Sequence, residues 1–214
     1  MTRTTTVIAI DGPAGSGKST VARSLAARLG LGYLDTGAMY RAVTVAALEK
    51  GIDVADAEAL APLAESLDLR LEGTRVWADG RDVTTAIRSP EASRAVSAVA
   101  KIPAVRRALV ARQRAWVADH AGGVVEGRDI ATVVFPDATL KLYLTARPEV
   151  RAARRAGERG EADTAAVAAE IAERDATDSS RDASPLTVAD DATVVDTSDR
   201  DVDAIVEGIL ESMR

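Results

Sequence analysis

The sequence predicts an α/β fold: a parallel sheet with helices on both faces, and a small antiparallel sheet inserted into it. Short apolar or β-branched runs alternate with amphipathic helical stretches along most of the chain. One cluster, at 69–83, breaks that alternation with three short runs separated by EGT and ADG turns. A glycine-rich turn, GPAGSGKS, joins the first run to the first helix.

In order, Thr5–Asp11 reads as a buried strand, and Lys18–Leu29 as a helix with Val21, Ala22, Leu25 and Leu29 on one face. Tyr33–Asp35 is a second short strand, with Thr36 placed as N-cap of a helix to about Lys50. Leu60, Leu63 and Leu67 mark another helix, and Leu69–Leu71, Arg75–Ala78 and Arg81–Val83 form the meander. Two helices follow, Pro90–Ala100 and Pro103–His120, each opening on proline. Val124–Val125 and Leu140–Leu144 are strands, and a helix starts at Pro148. The polar stretch 157–163, GERGEAD, reads as a loop before an Ala-rich helix that reaches Ser180 and is limited by Pro185. Thr193–Asp196 is the last strand and Val202–Met213 the closing helix.

The chain has 214 residues, enough for one core with an insertion, and its 47% hydrophobic and 28% charged residues are ordinary for a globular protein. It lacks Cys and Asn and has one His, His120, which excludes a disulfide framework, a thiol nucleophile and Cys/His zinc sites. No run is apolar enough for a membrane helix and no leader precedes the first strand, so a cytoplasmic location is expected. The net charge of −6 disfavours nucleic acid and anionic membranes as partners. Of the 27 basic residues, 23 are Arg and four are Lys, a bias that a GC-rich genome would also produce.

Gly12-Pro13-Ala14-Gly15-Ser16-Gly17-Lys18-Ser19 fits G-x-x-x-x-G-K-[ST] between a strand and a helix, which is the context the motif requires. Glycines let backbone N–H groups curl around phosphate oxygens at a positive helix end. Lys18 reaches the β- and γ-phosphates and the Ser19 hydroxyl ligates Mg²⁺. A nucleoside triphosphate with Mg²⁺ is the expected ligand. A chain without Asn holds no N-K-x-D guanine reader, so a kinase leads over a GTPase switch.

Asp35-Thr36-Gly37-Ala38-Met39-Tyr40-Arg41 follows a strand at the ligand-bearing edge of the sheet, where Thr36 and Arg41 can hold a phosphate. On the helix from Pro103, Arg107, Arg112 and Arg114 lie outside the apolar arc, but Arg106 lies inside it and needs an accepting partner. That partner is either an internal carboxylate or a ligand. Glu126-Gly127-Arg128-Asp129 again follows a strand. Arg174, Asp178 and Arg181 share one helix face, either as an ion-pair ladder or as a binding set. Arg147, Arg151, Arg154, Arg155 and Arg159 crowd the GERGEAD stretch, as a solvated face or a mobile lid.

IDGPAGSGKST, LDTGAMYR, DVTTAIRSPEAS, VVEGRDIATVVFPDA and RDATDSSRDASPL through DTS together resemble the bacterial-type cytidylate kinase family, the CMP/dCMP kinases. The blocks run from residue 8 to residue 198. The resemblance implies a five-stranded parallel P-loop core at 1–35 and 121–214, with a short lid near 155–163. It also implies a nucleoside-monophosphate-binding region at 36–120 with its insertion near 68–90. By position, ATP would sit on Gly12 through Ser19 and Thr20, and Thr36, Arg41 and Arg128 would hold the acceptor phosphate. Ser97, Arg106, Asp129 and Arg181 would read cytosine, Arg174 and Asp178 the sugar, and Tyr40 would pack beside the acceptor. Lys18, Arg128 and the lid residues Arg154 and Arg155 would neutralise charge on the transferring group. Cytosine accepts at O2 and N3 and donates at N4, so Arg106, Arg181 and Asp129 match it and mispair with uracil. The implied partners are ATP and CMP or dCMP, with a monomer as the default state. Two departures stand out: Ala14 replaces a frequent Ser and Ala131 a usual Gly, and altered affinity with retained activity is expected. Two other readings stay open, a kinase for another small acceptor such as shikimate and a non-enzymatic ATP-binding module.

Overall fold

The computed structural model describes residues 5–181 and 184–213, and these divide into two compact units. The quoted block RDASPL therefore has Asp182 and Ala183 outside the described residues. The first unit combines Met1–Tyr33 with His120–Arg214, and the second is Leu34–Asp119.

The first unit is built on β1 (Thr6–Asp11), which is apolar from Val7 to Ile10 and buried on both faces, as a central parallel strand should be. The helix α1 (Lys18–Leu29) follows it, and β2 (Tyr33–Asp35) starts at the end of this unit. The chain returns with β6 (Gly122–Glu126), β7 (Leu140–Thr145), α6 (Pro148–Arg159), α7 (Thr164–Ser179), β8 (Thr193–Asp196) and α8 (Val202–Ser212). The strands form a five-stranded parallel sheet in the order β2-β6-β1-β7-β8. Ile8 is in register with Val124 on one side and Leu140 on the other. Ile8, Ile10, Leu142 and Leu144 pack with Val21 and Leu25 of α1 and Ile205, Val206 and Ile209 of α8. At roughly 1.5–3 kcal/mol per buried aliphatic side chain, this cluster dominates the stability of the unit.

The second unit is built around α2 (Thr36–Glu49), a helix apolar on nearly every side and buried along most of its length. It is covered by α3 (Ala57–Ser66), α4 (Pro90–Val99) and α5 (Pro103–Asp119), and by the meander β3 (Leu69–Glu72), β4 (Arg75–Ala78) and β5 (Arg81–Asp82). In the meander Arg70 and Arg75 lie 4.3 and 4.9 Å from the Trp77 ring centroid. Arg112, read from the sequence as an ordinary surface position, instead spans from α5 to the end of α3. It donates to the Leu67 carbonyl and to the Glu65 carbonyl, the latter at 2.7 Å. A planar fork closing helix-terminal carbonyls is work a lysine does poorly.

Two local expectations need correction, and one further turn has no counterpart in the sequence pattern. The N-cap of α2 is Asp35, not Thr36: Asp35 is extended and its carboxylate accepts from the Ala38 N–H at 2.8 Å, whereas Thr36 is already helical. Residues 157–159 are helical too. Of the two glycines in GERG only Gly160 takes the left-handed conformation (φ 67°), and α6 therefore ends there. After Asp129 the chain makes a single π-helical turn, Ile130–Val134, with Phe135 N–H donating to the Ile130 carbonyl at 2.7 Å, which the sequence reading left unassigned.

Candidate nucleotide site

The glycine-rich turn links β1 to α1 as its motif predicts, and close packing explains two of its three glycines, the third, Gly17, being set by its left-handed backbone (φ 82°). A Cβ on Gly12 (φ 148°) would fall 2.0 Å from the Leu144 carbonyl oxygen, and one on Gly15 (φ 73°) 2.7 Å from that of Arg151. Three consecutive loop carbonyls each accept from a different cation. Arg128 Nη1 donates to Gly12 at 2.8 Å, Lys18 Nζ to Pro13 at 2.7 Å, and Arg151 Nη1 to Ala14 at 3.1 Å. Because N–H and C=O point oppositely across a trans peptide, these contacts also set the directions of the Ala14 and Gly15 N–H groups. The Thr197 hydroxyl donates to the Ser16 carbonyl at 3.0 Å. The Ser16 hydroxyl itself is buried and has no hydrogen-bond partner among the described residues. Ser19 and Thr20 lie exposed in the first turn of α1.

Around the loop lies a cluster of arginines centred on Asp178, which is 1% exposed. One Asp178 oxygen accepts from Arg128 Nε at 2.8 Å and the other from Arg181, and Arg174 is 4.0 Å away. Burial disfavours the Asp178 charge, yet Arg128 and Arg181 hold its carboxyl below the usual carboxylate range. Burial likewise opposes the Arg128 charge, and Asp178 keeps it above its ordinary value. For Lys18 the balance goes the other way: burial, and then Arg128, push its ammonium down, against the pull of Glu126. Asp129, the residue after Arg128, is buried. Of the two arginines expected in a lid, Arg154 donates to the Thr197 hydroxyl at 2.9 Å and lies beside Gly17, whereas Arg155 pairs with Glu158 at 2.9 Å.

The second unit holds the other expected site residues. Thr36 and Tyr40 are buried on α2, and Arg41 forms an ion pair with the cap residue Asp35 at 3.2 Å. Arg106 is 5% exposed, as its place on the apolar arc requires. Its guanidinium donates to the Ala100 carbonyl at 3.4 Å and lies 5.7 Å from the Tyr40 ring centroid. Ser97 is half-buried on α4. The structure thus groups Lys18, Arg128, Asp129, Arg174, Asp178 and Arg181 in one unit and Thr36, Tyr40, Arg41, Ser97 and Arg106 in the other.

Several residues here carried no role in the sequence reading. Asp11, 2% exposed, accepts from the Ile130 and Ala131 N–H groups at 2.8 Å each, tying the end of β1 to the π turn. Burial raises its pKa to about 6. Ala131 is not in the left-handed region, so its backbone needs no glycine. Glu126 accepts from the Tyr33 hydroxyl. Asp175 and Thr197 also contact the loop backbone. Asp175 stands three residues before Asp178, a helical spacing that could have placed it on the same face.

A family model described as cytidylate kinase matches residues 8–214. The chain belongs to the cytidylate kinase family. It is similar to a cytidylate kinase of Pelotomaculum thermopropionicum, 53% identical over 95% of this chain and 93% of that protein. A cytidylate kinase of Mycobacterium avium is 49% identical over 97% of this chain and 95% of that one. Among solved structures, a gluconokinase from Sinorhizobium meliloti superposes with a TM-score of 0.52 at 15% identity, covering 99% of this chain and 93% of that one. At that identity the likeness concerns the fold alone. The five-stranded parallel core and the three-stranded insertion are those expected of this cytidylate kinase family member, a nucleoside monophosphate kinase.

Proposed function

We propose that the chain transfers the γ-phosphoryl group of ATP to CMP or dCMP, giving ADP and CDP or dCDP. The family match across residues 8–214, with an intact phosphate loop, is the observation that carries this reading. An acceptor phosphate oxygen attacks the γ-phosphorus as the bond to the β,γ-bridging oxygen breaks. The second phosphate pKa is about 6, so the nucleophile is already an oxyanion and needs no general base. Catalysis then rests on positioning and charge neutralisation.

In this reading Lys18, Arg128, Arg154 and Arg155 offset the charge on the transferring group, and Thr36, Arg41 and Arg128 hold the acceptor phosphate. Ser97, Arg106, Asp129 and Arg181 read cytosine, Arg174 and Asp178 the sugar, and Tyr40 packs beside the acceptor. The unpartnered, buried Ser16 hydroxyl in the loop fits an anionic ligand there. Among the described residues no group of three or more His, Asp or Glu could hold a metal by itself. The donor set around the loop, chiefly the Ser19 hydroxyl, suits Mg²⁺ that arrives with the triphosphate and keeps several waters. When bound, the ion neutralises β- and γ-phosphate charge. We place the protein in the cytoplasm, acting as a monomer on nucleotides, with neither membrane nor nucleic acid as partner. No helix among the described residues is long and apolar enough to cross a membrane.

The test is ADP release with ATP, Mg²⁺ and a panel of CMP, dCMP, UMP and shikimate. CMP and dCMP should be turned over in strong preference to UMP, and Lys18→Ala should lower kcat by about 10²–10³. Comparable turnover of UMP would refute the cytosine-reading assignment, and no CMP-dependent release by wild type would refute the kinase reading.

A further inference from the structure

We propose that Asp175 and Arg151 are a positioning pair for the phosphate loop, holding Ala14 so that the cradle is formed before the triphosphate arrives. The pair grips one residue by both of its backbone polar groups. Asp175 Oδ1 accepts from the Ala14 N–H at 3.2 Å, and Arg151 Nη1 donates to the Ala14 carbonyl at 3.1 Å. The same Arg151 nitrogen is hydrogen-bonded to Asp175 Oδ2, so the two side chains and the Ala14 backbone close a ring of charge-assisted contacts. The side chains are only 12% and 17% exposed, which limits the screening of the pair.

Packing points the same way. The Ala14 methyl lies against Ala156 of α6 and Val167 and Ile171 of α7, the two helices that supply Arg151 and Asp175. The departure from serine at this position therefore gives a residue whose side chain is held apolarly while its backbone is held by charge. Gly15 follows with φ 73° and backs onto Arg151 so closely that no Cβ fits, and the same arginine thus braces two successive loop residues.

Asp175 also lies three residues before Asp178, whose carboxylate orients Arg128 toward the Gly12 carbonyl. One face of α7 thereby sets both arginines that bind loop carbonyls. Neither Asp175 nor Arg151 need touch the nucleotide: with the Ala14 N–H engaged by Asp175, they act through the direction of the next donor, the Gly15 N–H. This inference rests on the phosphoryl-transfer reading only in taking the loop's ligand to be ATP.

The experiment is calorimetric titration of the full chain with Mg²⁺-ATP and no acceptor, so that it does not depend on turnover. Asp175→Ala should weaken ATP binding roughly tenfold. Asp175→Asn keeps an acceptor for the Ala14 N–H and should lose only about threefold, and it serves if the alanine variant fails to fold. Arg151→Ala is measured alongside, and the double variant Arg151→Ala/Asp175→Ala should bind no more weakly than the weaker of the two single variants, because the two groups act as one unit. Glu170→Ala breaks another α6–α7 ion pair, that of Glu170 with Arg159 at 2.7 Å, and should lower the melting temperature while leaving ATP affinity unchanged. Unchanged affinity in Asp175→Asn, affinity within about twofold of wild type in Asp175→Ala, or single losses that multiply in the double variant would overturn the proposal. Wild type that binds ATP but shows no CMP-dependent ADP release would overturn the kinase reading and leave this one standing.

Discussion

A carboxylate at the end of a central strand has little water to rely on, and Asp11 shows the cost. Two backbone N–H groups stabilise its charge, but burial outweighs them and raises its pKa from 3.8 to about 6. The folded state therefore holds its proton more tightly than the unfolded chain does. Its contribution to stability is fully present below about pH 3.8 and is lost as the pH rises through about 6. The full effect is roughly 3 kcal/mol. In urea titrations Asp11→Asn should therefore have a flatter stability profile than wild type between pH 4 and 6, and parallel profiles would contradict the assignment. Residue types were legible where motif or periodicity isolates them. Lys18 stands in a fixed motif, and Arg106 betrays itself by sitting on an apolar arc. Asp11, Asp175 and Thr197 were not legible, because their roles consist of bonds to backbone groups over 100 residues away in sequence. Nothing local names such a partner, even where spacing marks the helix face, as for Asp175 three residues before Asp178. Arg112 was hidden for a similar reason, since a helical position outside the apolar arc says nothing of the helix end beside it.

Helix α5 carries a fully enclosed polar group on the same face as Val105 and Leu109. Gln113 is 0% exposed, and neither of its amide atoms has a hydrogen-bond partner among the described residues. An unmet buried amide costs about 1–3 kcal/mol, while an unbranched apolar side chain of similar length fills the same space. Gln113→Met should therefore raise the urea midpoint by the equivalent of about 1–2 kcal/mol with an unchanged slope, and a lowered midpoint would refute this. Element boundaries were legible wherever one residue type dictates one conformation, as with the prolines that open α4 and α5. They blurred where two candidates stood side by side. Asp35 and Thr36 are both good caps, and only the extended backbone of the strand end chooses between them. Gly157 and Gly160 both permit a helix stop, and only the second adopts the left-handed turn. The π turn at Ile130–Val134 has no periodicity of its own. It depends on Asp11 receiving its first two N–H groups, a contact made from a distant strand.

At the scale of the whole molecule the chain is acidic, at net −6, yet it gathers Lys18, Arg128, Arg151, Arg174 and Arg181 around one loop and balances them with Asp175 and Asp178. A polyanion binding there gains from charge already assembled. Mg²⁺-ATP at 100 times its dissociation constant should stabilise the fold by about 2.7 kcal/mol, which for a chain of this size is roughly a 5–10 °C rise in melting temperature. Lys18→Ala should lose most of that rise, and an equal rise in both proteins would argue against the loop as the site. Fold class was the most legible level, because alternation, the phosphate-loop context and the meander all pointed to one architecture.

The chain leaves the first unit after Tyr33 and re-enters it at His120. The unit that carries the phosphate loop is thus stitched from both ends of the sequence, while the segment with Thr36, Tyr40, Arg41, Ser97 and Arg106 is one unbroken stretch. For gene shuffling this makes residues 34–119 one contiguous cassette, exchangeable as a single insert, whereas the loop-bearing unit has to be supplied as two separate pieces, 1–33 and 120–214.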